Sequence, residues 1–204
     1  MTTPTDVKLT PLAEEALQRL VAGNQRFMMG EAHFPTVCKE TLADLARGQS
    51  PFATILGCSD SRVPPELIFD ANFGELFIIR VAGNVMSPEV KGSLQYAGAH
   101  LRTPLFMVLG HEGCVAVKAA LQYKFEGTQH QSHIQILVEN IAVGLADIKD
   151  SAEADSMAEA VEANVRWSIR QVTETPEWNN AVKLGAKLVG AVYEITSGEV
   201  RLLM

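Results

Sequence analysis

The sequence has few cysteines and no excess of basic residues, and both absences exclude classes of protein. Three cysteines (Cys38, Cys58 and Cys114) in 204 residues are too few for a scaffold built on disulfides, and an odd number suits metal binding or free thiols better. Lys and Arg number 17 against 24 Asp and Glu, which gives a formal net charge of -7. Because nucleic-acid and anionic-membrane binders present a basic patch, we expect neither partner.

Long apolar runs and flexible linkers are also missing. No stretch approaches the ~18 uninterrupted apolar residues of a membrane span, and residues 1–11 contain no apolar segment typical of a signal peptide. We therefore expect a cytoplasmic protein, with a periplasmic mature form whose signal has been removed as the alternative. Without repeats, low-complexity tracts or a Pro/Gly/Ser-rich linker, the sequence predicts a single domain over residues 1–204.

Short apolar runs alternate with stretches of helical spacing. Four runs lack polar alternation, as strands buried on both faces of a parallel sheet do: residues 52–57, 76–81, 105–109 and 187–193. Helical spacing is found at residues 11–29, 88–101, 114–123, 133–149 and 156–173. The pattern predicts an α/β fold with a mostly parallel central sheet flanked by helices. The first helix is interpreted as an N-terminal helical arm within residues 1–30, and residues 199–203, after a turn, as an antiparallel edge strand.

Two motifs directly follow apolar runs. Residues 58–62 read CSDSR and residues 110–114 read GHEGC. Because parallel strands gather ligand sites at their carboxyl ends, we expect both motifs at one edge of the sheet. His111 and Cys114 are three positions apart and can share a metal ion. With Cys58 they supply three soft ligands, the number that a catalytic zinc ion usually takes from the protein, so the single domain is interpreted as zinc-dependent and catalytic.

Asp60 and Arg62 lie two positions apart beside the first cysteine. A surface salt bridge would be the plainest interpretation, but next to a zinc ligand we favour a functional pair. A carboxylate there could bind the metal and close the site, or accept a hydrogen bond from metal-bound water. Our hypothesis is that Arg62 holds Asp60 away from the metal, and that breaking the pair lets Asp60 close the site.

With AGNQRF at residues 22–27, GELF at 74–77 and RVAGN at 80–84, these motifs resemble the beta-class carbonic anhydrases over nearly the whole chain after residue 20. The resemblance implies reversible hydration of CO2 to bicarbonate and a proton by attack of zinc-bound hydroxide. It also implies one Zn²⁺ per chain on Cys58, His111 and Cys114, with Asp60 and Arg62 as catalytic residues.

The same resemblance implies a substrate pocket and an assembly. Gln49, Phe77, Tyr96 and Ala82 match positions that line the pocket, with plain core packing as the alternative for the two aromatic residues. Part of the lining comes from a partner subunit in the family, so a homodimer or higher homo-oligomer with active sites at the interface is implied. Val115 departs from the family, which usually has glycine there. Its branched side chain needs a shifted neighbour or a conformation that tolerates Cβ.

Other functions remain open from the residues alone. A hydrolase of carbonyl sulfide or carbon disulfide could use the same zinc scaffold. A non-catalytic zinc domain would have its fourth ligand position closed permanently. A redox disulfide between Cys58 and Cys114 is disfavoured because the sequence has no C-x-x-C motif.

Overall fold

A five-stranded sheet lies at the centre of the computed structural model, which describes residues 10–33, 37–149 and 154–203. The strands are β1 (Ala53–Gly57), β2 (Leu76–Arg80), β3 (Leu105–His111), β4 (Lys187–Tyr193) and β5 (Val200–Leu203). Their order is β2-β1-β3-β4-β5; the first four are parallel and β5 is antiparallel to β4. The predicted α/β fold with an antiparallel edge is therefore confirmed.

Helices cover both faces of the sheet. Those within the described residues are α1 (Pro11–Met28), α2 (Lys39–Leu45), α3 (Pro65–Ile68), α4 (Pro88–Tyr96), α5 (Val115–Glu126), α6 (Ser132–Gly144), α7 (Ala154–Thr173) and α8 (Pro176–Lys183). A 3-10 turn at Ala82–Asn84 follows β2, and a π-helical turn at Ala97–Leu101 continues α4. Among the described residues, no helix is both long and apolar enough to cross a bilayer.

The central strands are apolar because helices pack on both of their faces. Every residue of β1 and β3 is buried, which explains why these runs show no polar alternation. Glycines allow α7 to lie close to the sheet: a Cβ atom added at Gly110 would lie 2.6 Å from Val165 Cγ2, and one at Gly190 would lie 2.8 Å from Ile169 Cδ1. Strands β3 and β4 are thus packed beneath a closely fitting helix.

The N-terminal helix is confirmed, and a buried asparagine attaches it to the rest of the molecule. Asn24 is 4% exposed, and its Nδ2 donates to the carbonyl oxygens of Ile68, at 3.2 Å, and Gly198, at 2.8 Å. Its Oδ1 accepts from the amide of Val200 at 2.9 Å. Residues 1–9 of the predicted arm lie outside the described residues. The assignment of one catalytic domain to the whole chain stays a prediction.

Candidate metal centre

Two neighbouring strands bring the three predicted metal ligands together. Cys58 directly follows β1, His111 is the last residue of β3, and Cys114 precedes the first turn of α5. Because β1 and β3 are adjacent and parallel, the ends of both strands lie at one edge of the sheet. The two Sγ atoms and a ring nitrogen of His111 all lie within 4.8 Å of one another. The three residues are 5%, 1% and 2% exposed, respectively.

The orientation of the His111 ring leaves one nitrogen available for a metal. Nδ1 lies 2.9 Å from the carbonyl oxygen of Glu112, and because a carbonyl oxygen only accepts, Nδ1 is the protonated nitrogen. Nε2 then carries the lone pair, and it is buried without a hydrogen-bond partner among the described residues. A buried, unpaired polar atom is costly unless a ligand satisfies it. The ring therefore has the tautomer and the free nitrogen that metal binding requires.

The two thiols form a coupled pair. The hydrogen bond from Cys114 lowers the pKa of Cys58 to about 4, although burial opposes this change. The same contact, together with burial, raises the pKa of the Cys114 thiol. The backbone amide of Gly83 also donates to Cys58 Sγ at 3.3 Å. One thiolate is thus available at neutral pH, and the second proton would leave when a metal binds. Two sulfur ligands and one imidazole suit zinc, so these residues fit that ion.

Asp60 and Arg62 form the predicted pair with two-point geometry. Arg62 Nε donates to Asp60 Oδ1 at 3.0 Å and Arg62 Nη2 donates to Oδ2 at 2.8 Å. The backbone amide of Arg62 also donates to Oδ1, at 3.0 Å. These hydrogen bonds hold the pKa of Asp60 well below its ordinary value, so the carboxyl is ionised near neutrality. The pair is present; its catalytic role stays a prediction.

Arg80, at the end of β2, braces the loop that carries the first motif. Its Nε donates to the carbonyl oxygen of Cys58 at 2.9 Å, and its Nη2 donates to the carbonyl oxygen of Asp60 at 2.5 Å. The register explains the contact, because Arg80 lies opposite Gly57 on the neighbouring strand. Sequence reasoning assigned Arg80 no supporting role at the metal centre, although its position in the RVAGN motif was a usable signal.

A buried polar network from α7 supports the turn that contacts Cys58. Asn164 Nδ2 donates to the carbonyl oxygen of Gly83 at 2.9 Å, and Ser168 Oγ donates to the carbonyl oxygen of Asn84 at 3.0 Å. Asn84 Nδ2 in turn donates to Ser168 Oγ at 3.2 Å. Gly83 and Asn84 have φ values of 64° and 45°, a left-handed conformation that needs such support. Sequence reasoning missed these residues of α7.

The four predicted pocket residues lie in different environments. The rings of Phe77 and Tyr96 are 6.0 Å apart between centroids, and Tyr96 is 45% exposed. Ala82 is partly buried and precedes Gly83 in the turn that contacts Cys58, whereas Gln49 lies on an exposed loop before β1. The structure thus joins the two aromatic rings to each other. The assignment of these four residues to a substrate pocket stays a prediction.

Val115 lies in a conformation that tolerates its branched side chain. It occupies the first position of α5, with helical backbone, and its side chain is 69% exposed. The second of the two expected solutions is therefore the one found, a conformation that tolerates Cβ. The substitution leaves the three candidate ligands in place.

Fold and site together define a class of protein: a mostly parallel α/β domain whose strand ends hold a buried Cys–His–Cys group placed to bind a metal. A family model described as carbonic anhydrase matches residues 53–200. The chain belongs to the carbonic anhydrase family, and its solved neighbours are of the beta class. The predicted resemblance is thereby confirmed.

Individual relatives agree with this assignment. The chain is 34% identical over 188 residues to a carbonic anhydrase of Mycolicibacterium smegmatis, covering 92% of this chain and 91% of the relative. It is 43% identical over 127 residues to carbonic anhydrase 2 of Mycobacterium tuberculosis, covering 62% of this chain and 61% of that protein's length. Among solved structures, the beta-carbonic anhydrase CafA of Aspergillus fumigatus superimposes with a TM-score of 0.72, 28% identity and 80% coverage of each chain.

Proposed function

We propose that this chain catalyses the reversible hydration of CO2 to bicarbonate and a proton, with one zinc ion held by Cys58, His111 and Cys114. The convergence of three buried ligand atoms within 4.8 Å, in a chain of the carbonic anhydrase family, carries the proposal. A zinc ion bound there would act as a Lewis acid and lower the pKa of a coordinated water toward neutrality. The fourth ligand position must then stay open to water or substrate.

Arg62 keeps that position open by binding the carboxylate of Asp60. A carboxylate offers about four lone-pair sites, and Arg62 groups donate to Asp60 three times. The remaining site can accept a hydrogen bond from a hydroxyl group in the centre and so orient it. The ionised state of Asp60 suits an acceptor, because its low pKa keeps it unprotonated near neutrality. Loss of the Arg62 side chain would leave only the backbone amide on Oδ1 and would free Oδ2 to close the site.

The substrate pocket is proposed to include Gln49, Phe77, Tyr96 and Ala82. Two of them present surface that a second subunit would cover: Tyr96 is 45% exposed and Gln49 is also exposed. We propose a homodimer or higher homo-oligomer of this chain with active sites at the interface. An apolar aromatic wall suits CO2, a small molecule without charge, and Gln49 would supply a weak polar contact.

Stopped-flow CO2 hydration on protein whose zinc content has been counted tests the proposal. We expect activity at one zinc per chain across about pH 6.5 to 9. The variants C58S, H111A and C114S should lose both zinc and activity. Cys38 is exposed and lies outside the metal centre, so C38S is the matched control and should retain both.

Three outcomes would contradict the proposal or one of its ligand assignments. A fully metallated protein that hydrates no CO2 at any of these pH values, yet hydrolyses carbonyl sulfide or carbon disulfide, would identify the sulfur-substrate hydrolase. A metallated protein inactive on all three substrates would identify the closed, non-catalytic zinc domain. Full activity in C58S would remove Cys58 from the assigned ligands.

A further inference from the structure

Glu112, between the two metal-site residues of the second motif, has every polar group tied to a partner. Its amide donates to the carbonyl oxygen of Tyr193 at 2.9 Å. Its carbonyl oxygen accepts from His111 Nδ1 at 2.9 Å. Its carboxylate accepts from Thr196, 84 positions further along the chain. A single residue therefore links the His111 ring to the end of β4 and to the β4–β5 turn.

The carboxylate holds Thr196 through both of its donors. The Thr196 amide donates to Glu112 Oε2 at 3.0 Å, and the hydroxyl lies 3.1 Å from Oε1 and 3.0 Å from Oε2. Hydrogen bonds to an ionised acceptor are stronger than neutral ones. The contact joins the HEGC motif to the β4–β5 turn directly beside the metal centre.

The β4–β5 turn is itself held in place by hydrogen bonds. Backbone hydrogen bonds close it, from Gly198 N to Glu194 O at 2.8 Å and from Glu194 N to Glu199 O at 2.8 Å. The buried side chain of Asn24 also hydrogen-bonds the backbone of Gly198 and Val200 at the end of the turn. A side chain that bonds Thr196 is therefore anchored to the core through α1.

The residue that follows Glu112 is a glycine, which restricts the backbone less than any other residue type. Gly113 follows with φ +63°, and glycine samples more backbone conformations than any other residue. The carbonyl oxygen that receives the His111 proton belongs to the peptide between these two residues. Its direction is fixed in part from the Glu112 side, where the amide bond to Tyr193 and the carboxylate contact with Thr196 both act.

We propose that Glu112 is a positioning residue for His111. Its carboxylate, held on Thr196, fixes the carbonyl oxygen that orients the imidazole ring and keeps Nε2 directed into the metal centre. This inference rests on the proposed metal-binding role of the Cys–His–Cys group. Outer partners of this kind orient a ligand without touching the metal, and their loss typically weakens metal affinity.

The test measures Co²⁺ binding by the apoprotein, using competition with a chromophoric chelator, together with the visible spectrum of the bound ion. We expect E112A to weaken Co²⁺ affinity by about 10- to 100-fold and to change the ligand-field bands. E112Q keeps an oxygen acceptor for Thr196 and should recover part of the loss. T196V removes the hydroxyl but keeps the negative charge and the backbone donor, so it should shift the spectrum in the same direction by a smaller amount.

A control variant distinguishes the loss of the Glu112–Thr196 contact from the loss of a negative charge. E199Q removes one negative charge from the same turn without touching the Glu112 contacts, and it should bind Co²⁺ like the unaltered chain. Equal weakening in E112Q and E199Q, with T196V unchanged, would overturn the inference in favour of a simple charge effect. Unchanged affinity and spectrum in E112A, in protein whose circular dichroism matches the parent, would also overturn it.

The same experiment distinguishes this inference from the proposed function. If the unaltered chain binds one Co²⁺ tightly and E112A does so equally well, only the positioning role fails. If the unaltered chain binds no Co²⁺, the metal centre itself fails and the positioning role is overturned with it.

Discussion

The two side chains of the Asp60–Arg62 pair differ in exposure to solvent. The Arg62 side chain is 52% exposed, whereas that of Asp60 is only 16% exposed. Pairs with so exposed a partner contribute little to folding stability. Their geometry can still decide where a carboxylate points, and here the carboxylate of Asp60 is held on the guanidinium group of Arg62.

Replacing Arg62 with Ala should therefore affect activity far more than stability. We expect CO2 hydration per bound zinc to fall by about 10- to 100-fold, because Asp60 becomes free to close the metal site. The free energy of unfolding should change by less than about 1 kcal/mol. Arg47, which pairs with Asp44 on an exposed surface, supplies the control R47A. Full activity in R62A would contradict the gating role of the pair.

Asp70 presents the opposite case, a buried carboxylate with structural partners. Its side chain is 3% exposed and accepts from Arg26 Nε at 2.5 Å, from the amide of His33 at 2.8 Å and from His33 Nδ1 at 2.9 Å. Burial by itself raises the pKa of Asp70, but the hydrogen bonds from His33 and Arg26 outweigh it and lower the pKa from 3.8 to about 2. The residue joins α1 and the segment after it to the loop before β2.

This low pKa predicts how stability depends on pH. Because the folded carboxyl binds a proton less readily than the unfolded one, its contribution is complete above the ordinary pKa of 3.8 and is lost as pH falls through about 2. We expect the Asp70 contribution to be roughly 1–2 kcal/mol. D70N should lower the free energy of unfolding by that amount at neutral pH and by progressively less as pH falls through this window.

Urea unfolding of D70N and the parent at a series of pH values measures the difference. Asn also tolerates the left-handed conformation at this position, where φ is 45°. The exposed Asp44 offers the control D44N, which should stay within about 0.5 kcal/mol of the parent at every pH. A constant difference between D70N and the parent down to pH 2 would show that the carboxylate does not act through its charge.

At the scale of the element, α7 is more than a cover for the sheet. Its residues Asn164 and Ser168 are 1% and 0% exposed, and both bond the 3-10 turn whose amide donates to Cys58. The helix thus supports the turn that contacts Cys58. Removing one of these hydrogen bonds leaves buried polar groups without a partner. The resulting loss of folding stability is larger than the net contribution of the hydrogen bond itself.

Ser168→Ala is the direct test of that support. The variant leaves the side-chain amide and the carbonyl oxygen of Asn84 without their partner, so we expect a loss of about 1–3 kcal/mol in the free energy of unfolding. Ser93 on α4 bonds an exposed backbone carbonyl, and S93A should cost less than about 0.5 kcal/mol. Urea midpoints at constant m-value report both, and equal effects of the two variants would contradict the role of α7.

The elements that were predicted well from the sequence are those with a clear hydrophobic pattern. The first four strands begin and end within about two residues of their predicted bounds, because buried parallel strands leave continuous apolar runs. The short helices α2 and α3 were missed: α2 buries none of its residues and α3 has only four. The start of α8 did carry a usable signal, because Thr175 caps it and Pro176 occupies its first position.

At the scale of the whole molecule, the convergence of Cys58, His111 and Cys114 could be predicted from the sequence, whereas the contacts that support these residues could not. The strand ends carried this prediction, because topology alone brings Cys58 and His111 to one edge of the sheet. The contact between Glu112 and Thr196 joins residues 84 positions apart, and the one between Asn24 and Val200 joins residues 176 positions apart. Propensity and periodicity describe near neighbours in the chain, so partners this distant appear only in the folded structure.

The proposed substrate pocket requires that two or more copies of this chain associate. Tyr96, Leu184 and Val115 are 45%, 66% and 69% exposed, which leaves apolar side chains on the surface of the single chain. We expect light scattering to give the mass of at least two chains at micromolar concentration. If Tyr96 contributes to a shared active site, hydration per zinc should fall on dilution at the concentration where the mass falls to that of one chain.

Two variants of the same residue show whether assembly and activity depend on that surface. Tyr96→Arg places a charge on the apolar face and should reduce the mass and the activity together, because burying an unpaired charge in an interface is costly. Tyr96→Phe keeps the aromatic surface and should retain the assembled mass. A single-chain protein with undiminished activity per zinc would contradict a shared site, since every residue of the pocket would then come from one chain.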